Sequence, residues 1–190
     1  MANLILNGST SGSVTLSSPA VSGTTTLTLP TTSGTVVTTG TTGQVIASGA
    51  LPIGSVLQVV QGTTQSQVTS SSSAYSDTGL TASITPKFST SKILVTVHQN
   101  GVSKSTNDTA ANIQLLRGAA VISYFSGYAG QTSSTAVSSV GSVSTSYLDS
   151  PATTSATTYK TQLASVSNNA IVGVQQVSAM STITLMEIAA

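Results

Sequence analysis

The sequence predicts an all-β protein, with a stalk of very short strands over residues 1–50 and a β-sandwich head over residues 51–190. Three observations predict it. More than a third of the 190 residues are Ser or Thr, and Val, Ile and Leu are abundant, while Glu and Lys, staples of long helices, are scarce. Thr and the β-branched aliphatics fit a pleated, half-buried surface. Alternating runs of these residues recur at short intervals, bounded by Gly, Pro, Asn and Ser. Finally, charged side chains make up only 5% of the chain and are absent from the first 76 residues, against about a quarter in an ordinary soluble domain.

The stalk reads as a string of fragments. Leu4-Ile5-Leu6 precedes Asn7-Gly8, a type I′ turn signal. Val14-Thr15-Leu16 follows and ends at Pro19, Thr24–Leu29 alternates into Pro30, and Thr35–Thr38 ends at Gly40. Strands this short are marginal alone. They gain stability when copies of the chain bury Val14, Leu16, Leu27, Leu29 and Val36 around a shared axis. The lack of charge suits such a stem, because identical chains would otherwise set like charges side by side.

Leu51-Pro52-Ile53-Gly54 marks the expected hinge. Beyond it, strands are predicted over 56–61, 80–85, 92–99, 111–117, 120–125, 138–148, 158–165, 171–177 and 182–188, a spacing suited to a sandwich. Asn100-Gly101 and Arg117-Gly118 are candidate hairpin turns. Residues 70–73 and 150–155 read as exposed loops. Ile93, Val95 and Val97 lie on one face of their strand and Leu94 on the other. Ile183 and Leu185 likewise oppose Met186 and Ile188. A strand apolar on both faces is covered on both, by a second sheet or by a neighbouring chain. The final strand is expected to pin the C-terminus into the sheet.

Composition also excludes functions. No cysteine is present, so disulfides do not hold the fold. The N-terminus lacks the basic region of a signal peptide, and no apolar run approaches a membrane span, so a cytoplasmically made, non-membrane protein is expected. Five scattered cations form no basic patch, which argues against nucleic-acid binding. A net charge of +1 does little to keep molecules apart, so a stable oligomer is expected.

Catalytic chemistry has few candidates. His98 is the only imidazole, and Asp77, Asp108, Asp149 and Glu187 are the only acids. A triad of Ser, His98 and an acid is allowed by residue types, but His98 reads better as a residue at a strand end. With one His and no Cys a zinc site within one chain is not expected, and Asp108 stands without the oxygen cluster that calcium needs. A metal held by one His98 per chain on a threefold axis is a remote alternative. No phosphate-cradling glycine loop occurs. No catalytic, metal or cofactor residue is therefore assigned, and the chain is expected not to be an enzyme. The run Tyr124–Gln131 holds three of the seven aromatics among Gly, Ser and Gln. Such a run can form a shallow sugar site; the plainer expectation is that Tyr124 and Phe125 finish a core strand and Tyr128 caps the sandwich. Asn7-Gly8-Ser9 and Asn107-Asp108-Thr109 match the glycosylation sequon without a secretory route to use it, and the Thr24–Thr26 array is too short for an ice-binding face.

The segments 7–16, 19–30 and 34–37 resemble the short stem repeat of tailed-bacteriophage fibres. The segments 54–61, 75–86, 91–95, 114–118, 147–160 and 181–188 are similar to a head domain of phages that infect marine and freshwater bacteria. Tyr147–Lys160 and Thr182–Ile188 are the most specific of these. The resemblance implies a homotrimeric virion appendage whose head is a jelly-roll-like sandwich of the C1q/tumour-necrosis-factor kind, with one sheet of each protomer facing the axis. It implies other virion proteins, of tail or capsid, as partners of the N-terminal region, and a bacterial surface glycan as the partner of the head. Because the sequence starts directly in stem-like repeats, a short fibre or a capsid-surface fibre is expected in preference to a long tail fibre. The alternative is a capsid decoration or cement protein that binds no receptor.

Overall fold

The computed structural model describes residues 4–7, 10–16, 51–133, 139–166 and 170–190. The chain forms two compact units, residues 1–44 and 45–190. In the first, β1 (Leu4–Asn7) pairs antiparallel with β2 (Ser13–Leu16), Leu4 opposite Leu16 and Asn7 opposite Ser13. Both strands lie where the alternation predicts them. Asn7, at the predicted two-residue turn, pairs with Ser13, and Gly8 lies outside the described residues. The predicted strands at 24–29 and 35–38 fall outside the described residues.

The second unit is a β-sandwich. Its strands are β3 (Val56–Thr64), β4 (Val68–Ser70), β5 (Ser76–Ile84), β6 (Lys92–Lys104), β7 (Ala111–Arg117), β8 (Ala120–Ala129), β9 (Ser139–Asp149), β10 (Thr157–Ser165), β11 (Val172–Val174) and β12 (Ser181–Ile188). One sheet runs β5-β10-β7-β8. The other runs β3-β12-β6-β11-β4, with β9 also on β6. The 13-residue β6 explains this second order. β12 pairs its first half and β11 its last residues, while β3 lies on β12 and β4 on β11. β3/β4 and β11/β12 are thus two continuous lines, each interrupted once. Counted so, eight lines in chain order form sheets 1-8-3-6 and 2-7-4-5, the order of a jelly roll.

Two interruptions overturn sequence expectations. Asn100-Gly101 makes no hairpin: β6 passes straight through, with a register shift between Gln99 and Val102 and Gly101 at φ 61. This is a bulge, which bends a strand without ending it. Beside it, the strand predicted over 171–177 stops at Val174, because Gln175, Val177 and Ser178 take left-handed backbone conformations in a short 3-10 turn. The two defects fit together: the Asn100 carbonyl accepts from the Gln175 N–H at 2.9 Å. Arg117-Gly118 does make the expected turn, with Arg117 opposite Ala120. β4 occupies part of a predicted loop, and β8 runs four residues past its predicted end through the Tyr/Gly run.

Side chains alternate along most strands of both sheets, with breaks in β7, β8 and the fully buried β11. Leu80, Ala82, Ile84, Ile93, Val95, Val97, Leu115, Tyr159, Ile183 and Leu185 form one buried cluster, and Val102, Ala111, Ile113, Leu163, Val172 and Val174 a second. Each fully buried aliphatic side chain contributes about 1.5–3 kcal/mol. Between the clusters lies a belt of buried polar residues. Thr161 Oγ1 donates to Gln99 Oε1 at 2.9 Å and lies 2.5 Å from Thr78 Oγ1. Gln99 Nε2 donates to Ser181 Oγ at 3.2 Å, and the Gln175 amide completes the belt beside Ser181 and Gln99. The belt ties both sheets together with its donors and acceptors matched, the condition under which buried polar groups are tolerated.

The final strand is held in the sheet, as expected: β12 lies between β3 and β6, and its end is fixed by Ala189 N–H to Ser55 O (2.9 Å) and Gly54 N–H to Ala189 O (2.8 Å). Glu187 points inward and is fully buried. It accepts from the Lys87 N–H at 2.7 Å and from Gln58 Nε2 at 2.6 Å, fixing the β5–β6 connection. Burial alone would raise its carboxyl, but hydrogen bonds from Gln58 and the Lys87 and Phe88 amides outweigh this and hold it below the ordinary glutamate value.

Candidate functional site

The residues weighed for catalysis do not converge. His98 is exposed on the outer face of β6, between Thr182 and Ser144 in register. Asp149 is buried at the end of β9, opposite Ile93, and faces the interior. The two stand on opposite faces of one sheet. Asp149 instead receives Arg117 Nη1 at 2.8 and 2.9 Å and the Tyr159 hydroxyl at 2.7 Å. Burial first, then the hydrogen bond and charge of Asp149, push the Tyr159 phenol well above its ordinary value. This cluster joins β9 of one sheet to β7 and β10 of the other, a structural cross-link. Among the described residues no three His, Asp or Glu side chains gather as metal ligands. No helix among them is long and apolar enough to cross a membrane.

The outer faces of the sandwich are more informative. On the first sheet, Leu148 stands opposite Leu94, Leu94 opposite Met186, and Met186 opposite Val59. The row crosses β9, β6, β12 and β3. Leu148 and Val59 are more than half exposed, and Ile188 and Val56 add a second apolar pair beside it. The next row along is polar: Ser146, Thr96, Thr184 and Gln61, with Gln61 Nε2 donating to Thr184 Oγ1 at 3.0 Å. Among the described residues, Lys92 and His98 are the ionisable groups on this face. Leu94, Met186 and Ile188 were legible as an unexpected apolar face in the sequence; Val59 and Leu148 join them only through the register.

On the second sheet, Tyr124, Gln114, Gln162 and Asp77 form a row across β8, β7, β10 and β5. Gln114 Nε2 donates to Gln162 Oε1 and Gln162 Nε2 to Asp77 Oδ1, each at 2.8 Å. Lys160 Nζ closes on Asp77 Oδ2 at 2.8 Å. The hydrogen bonds from Lys160 and Gln162 hold the Asp77 carboxyl below its ordinary value. Tyr124 is 70% exposed and pairs its ring with Tyr75 at 6.3 Å and 57°. Burial raises the Tyr75 phenol, Tyr124 adds to this, and a hydrogen bond with Asn112 opposes it. Tyr128 is also exposed, with φ 62, and its N–H donates to Asn112 Oδ1 at 3.1 Å. The expectation that Tyr124 finishes a core strand and Tyr128 caps the sandwich is therefore corrected. Phe125 packs on the core, while bulges in the β7–β8 ladder leave both tyrosines outside.

No protein-family model matches the chain, and no curated protein matches it in sequence. Among solved structures, the chain is similar to one titled "Crystal structure of infectious bursal disease virus VP2 subviral particle", at 12% identity and a TM-score of 0.40, over 72% of this chain. The chain spans 38% of that protein's length, and a likeness at this level is one of similarity only.

Proposed function

We propose that the chain is a non-enzymatic structural component of a virion, a short homotrimeric appendage whose head takes part in adhesion to a bacterial surface. The observation that carries this reading is the row Leu148, Leu94, Met186 and Val59 on the outer face of the first sheet. A contiguous row of directly opposed apolar side chains, exposed at Leu148 and Val59 and half-buried at Leu94 and Met186, favours an interface over solvent. A trimer that turns this sheet toward its axis would bury the row against its copies. The near absence of charge on the face removes the repulsion that would otherwise oppose such packing. The resemblance of the stem and head segments to phage fibres supplies the virion context. Separation of His98 from Asp149 supports a non-catalytic role.

Sedimentation of the full chain tests the assembly. A mass near three chains is expected, and a shift toward monomer in Leu94→Asp; a clean monomer of the native chain at micromolar concentration overturns the reading. Cryo-electron microscopy of the particle then separates the appendage from the alternative of a capsid decoration protein.

A further inference from the structure

We propose that the outer face of the second sheet, around Tyr124, Tyr128 and Gln114, is a binding site for a neutral glycan. The proposal deepens the adhesion reading and rests on it, by naming the face and the ligand class. Three observations converge. First, Tyr124 and Tyr128 present exposed rings on one strand, and Tyr75 is set against Tyr124 at 6.3 Å. Rings held in place this way offer apolar surface with a polar edge, suited to the C–H face of a sugar ring. The left-handed backbone at Tyr128 is a costly conformation for a bulky residue, a feature that gathers at ligand sites.

Second, the Gln114–Gln162–Asp77–Lys160 chain of hydrogen bonds runs beside the rings. Amides and a carboxylate fixed by one another form a prearranged strip of donors and acceptors, the arrangement hydroxyl groups need. Third, Gln114 Oε1 accepts no hydrogen bond although its residue is only 4% exposed. A buried acceptor without a partner costs about 1–3 kcal/mol. It lies on the residue that faces Tyr124 across the ladder. A sugar hydroxyl entering beside Tyr124 would satisfy it.

Charge selects the ligand class. Asp77 and Lys160 neutralise one another, so the face offers no net charge to a phosphate backbone or an acidic polymer. A neutral, polyhydroxylated ligand with an apolar ring face fits what remains.

The test is saturation-transfer NMR on the full-length chain with cellohexaose, mannohexaose and xylohexaose as probes at millimolar concentration. Transfer to sugar ring C–H protons is expected for at least one probe. Tyr124→Ala should weaken it about tenfold, the loss of one stacked ring, and Gln114→Leu should weaken it as well. Tyr124 is mostly exposed, so its truncation leaves the core intact, which circular dichroism checks. Val177→Asn, in the exposed turn before β12 and on neither sheet face, should leave sugar binding unchanged. No transfer to any probe, or unaltered binding by Tyr124→Ala, overturns the proposal. If the sedimenting mass is nonetheless near three chains, the site fails while the virion reading stands; sugar binding by a monomer gives the reverse.

Discussion

Arg117 and Asp149 join the two sheets of the sandwich through one guanidinium nitrogen, Nη1, which lies 2.8 Å from Oδ1 and 2.9 Å from Oδ2. The partners are unequally placed. The Arg117 side chain is 33% exposed and the Asp149 side chain 6%.

That inequality predicts an asymmetric response to mutation. Arg117→Met leaves the Asp149 carboxylate buried with only Tyr159 beside it. A cost of about 2–3 kcal/mol follows, below that of a fully enclosed pair because water reaches the site. Asp149→Asn keeps an acceptor for Tyr159 and lets the guanidinium turn to water, so its cost stays under about 1.5 kcal/mol. Urea unfolding of the two variants checks the order.

Gly101 predicts a second effect. Its φ is 61, and a Cβ there would stand 2.4 Å from Gln176 N and 2.9 Å from Gln176 O. Both are backbone atoms of the turn between β11 and β12, so neither can swing aside. Gly101→Ala should cost about 2–4 kcal/mol, the left-handed conformation and the overpacking together. Gly118→Ala, at φ 58 with nothing within 4 Å, incurs only the conformational part. A fall in the urea midpoint that is larger for Gly101→Ala than for Gly118→Ala is the expected result.

Stability should fall at both ends of the pH scale. Asp77 and Glu187 have folded pKa values below their ordinary 3.8 and 4.5. The native state therefore binds fewer protons than the unfolded chain in acid. The stability they contribute is complete above those ordinary values and is lost as pH falls through the lower folded ones. Tyr159 works in the other direction. Its phenol is raised in the folded state, so its contribution is complete below about pH 10 and is lost as pH rises further. Thermal melts across pH should show Glu187→Gln flattening the acid limb and Tyr159→Phe flattening the alkaline one.

Much of the head was legible in the sequence, for a local reason. Strands whose polar and apolar residues alternate, such as those over residues 80–85 and 158–165, declare both their conformation and their inward face. The interior polar belt was not legible. Thr78, Gln99, Thr161, Gln175 and Ser181 look like the many other Ser, Thr and Gln residues of the chain, and only pairing across two sheets brings them together. The same holds for the outer tyrosine face. Gln114, Gln162 and Asp77 are far apart in sequence and meet because β10 lies between β5 and β7.

The sequence by itself determined that this chain is a β protein and where most strands of its head lie, because period-two alternation is a property of the strand alone. It also marked Leu94 in one strand, and Met186 and Ile188 in another, as apolar residues opposite the other apolar side of their own strands. Tertiary structure decided what the turn signals mean. Asn100-Gly101 is a bulge and not a hairpin, since β6 gains more by pairing onward with β9 and β11 than by ending. It decided, too, that Tyr124 and Tyr128 face outward, because the register shifts between β7 and β8 set which side each ring takes. Register is a relation between strands, and no single strand carries it.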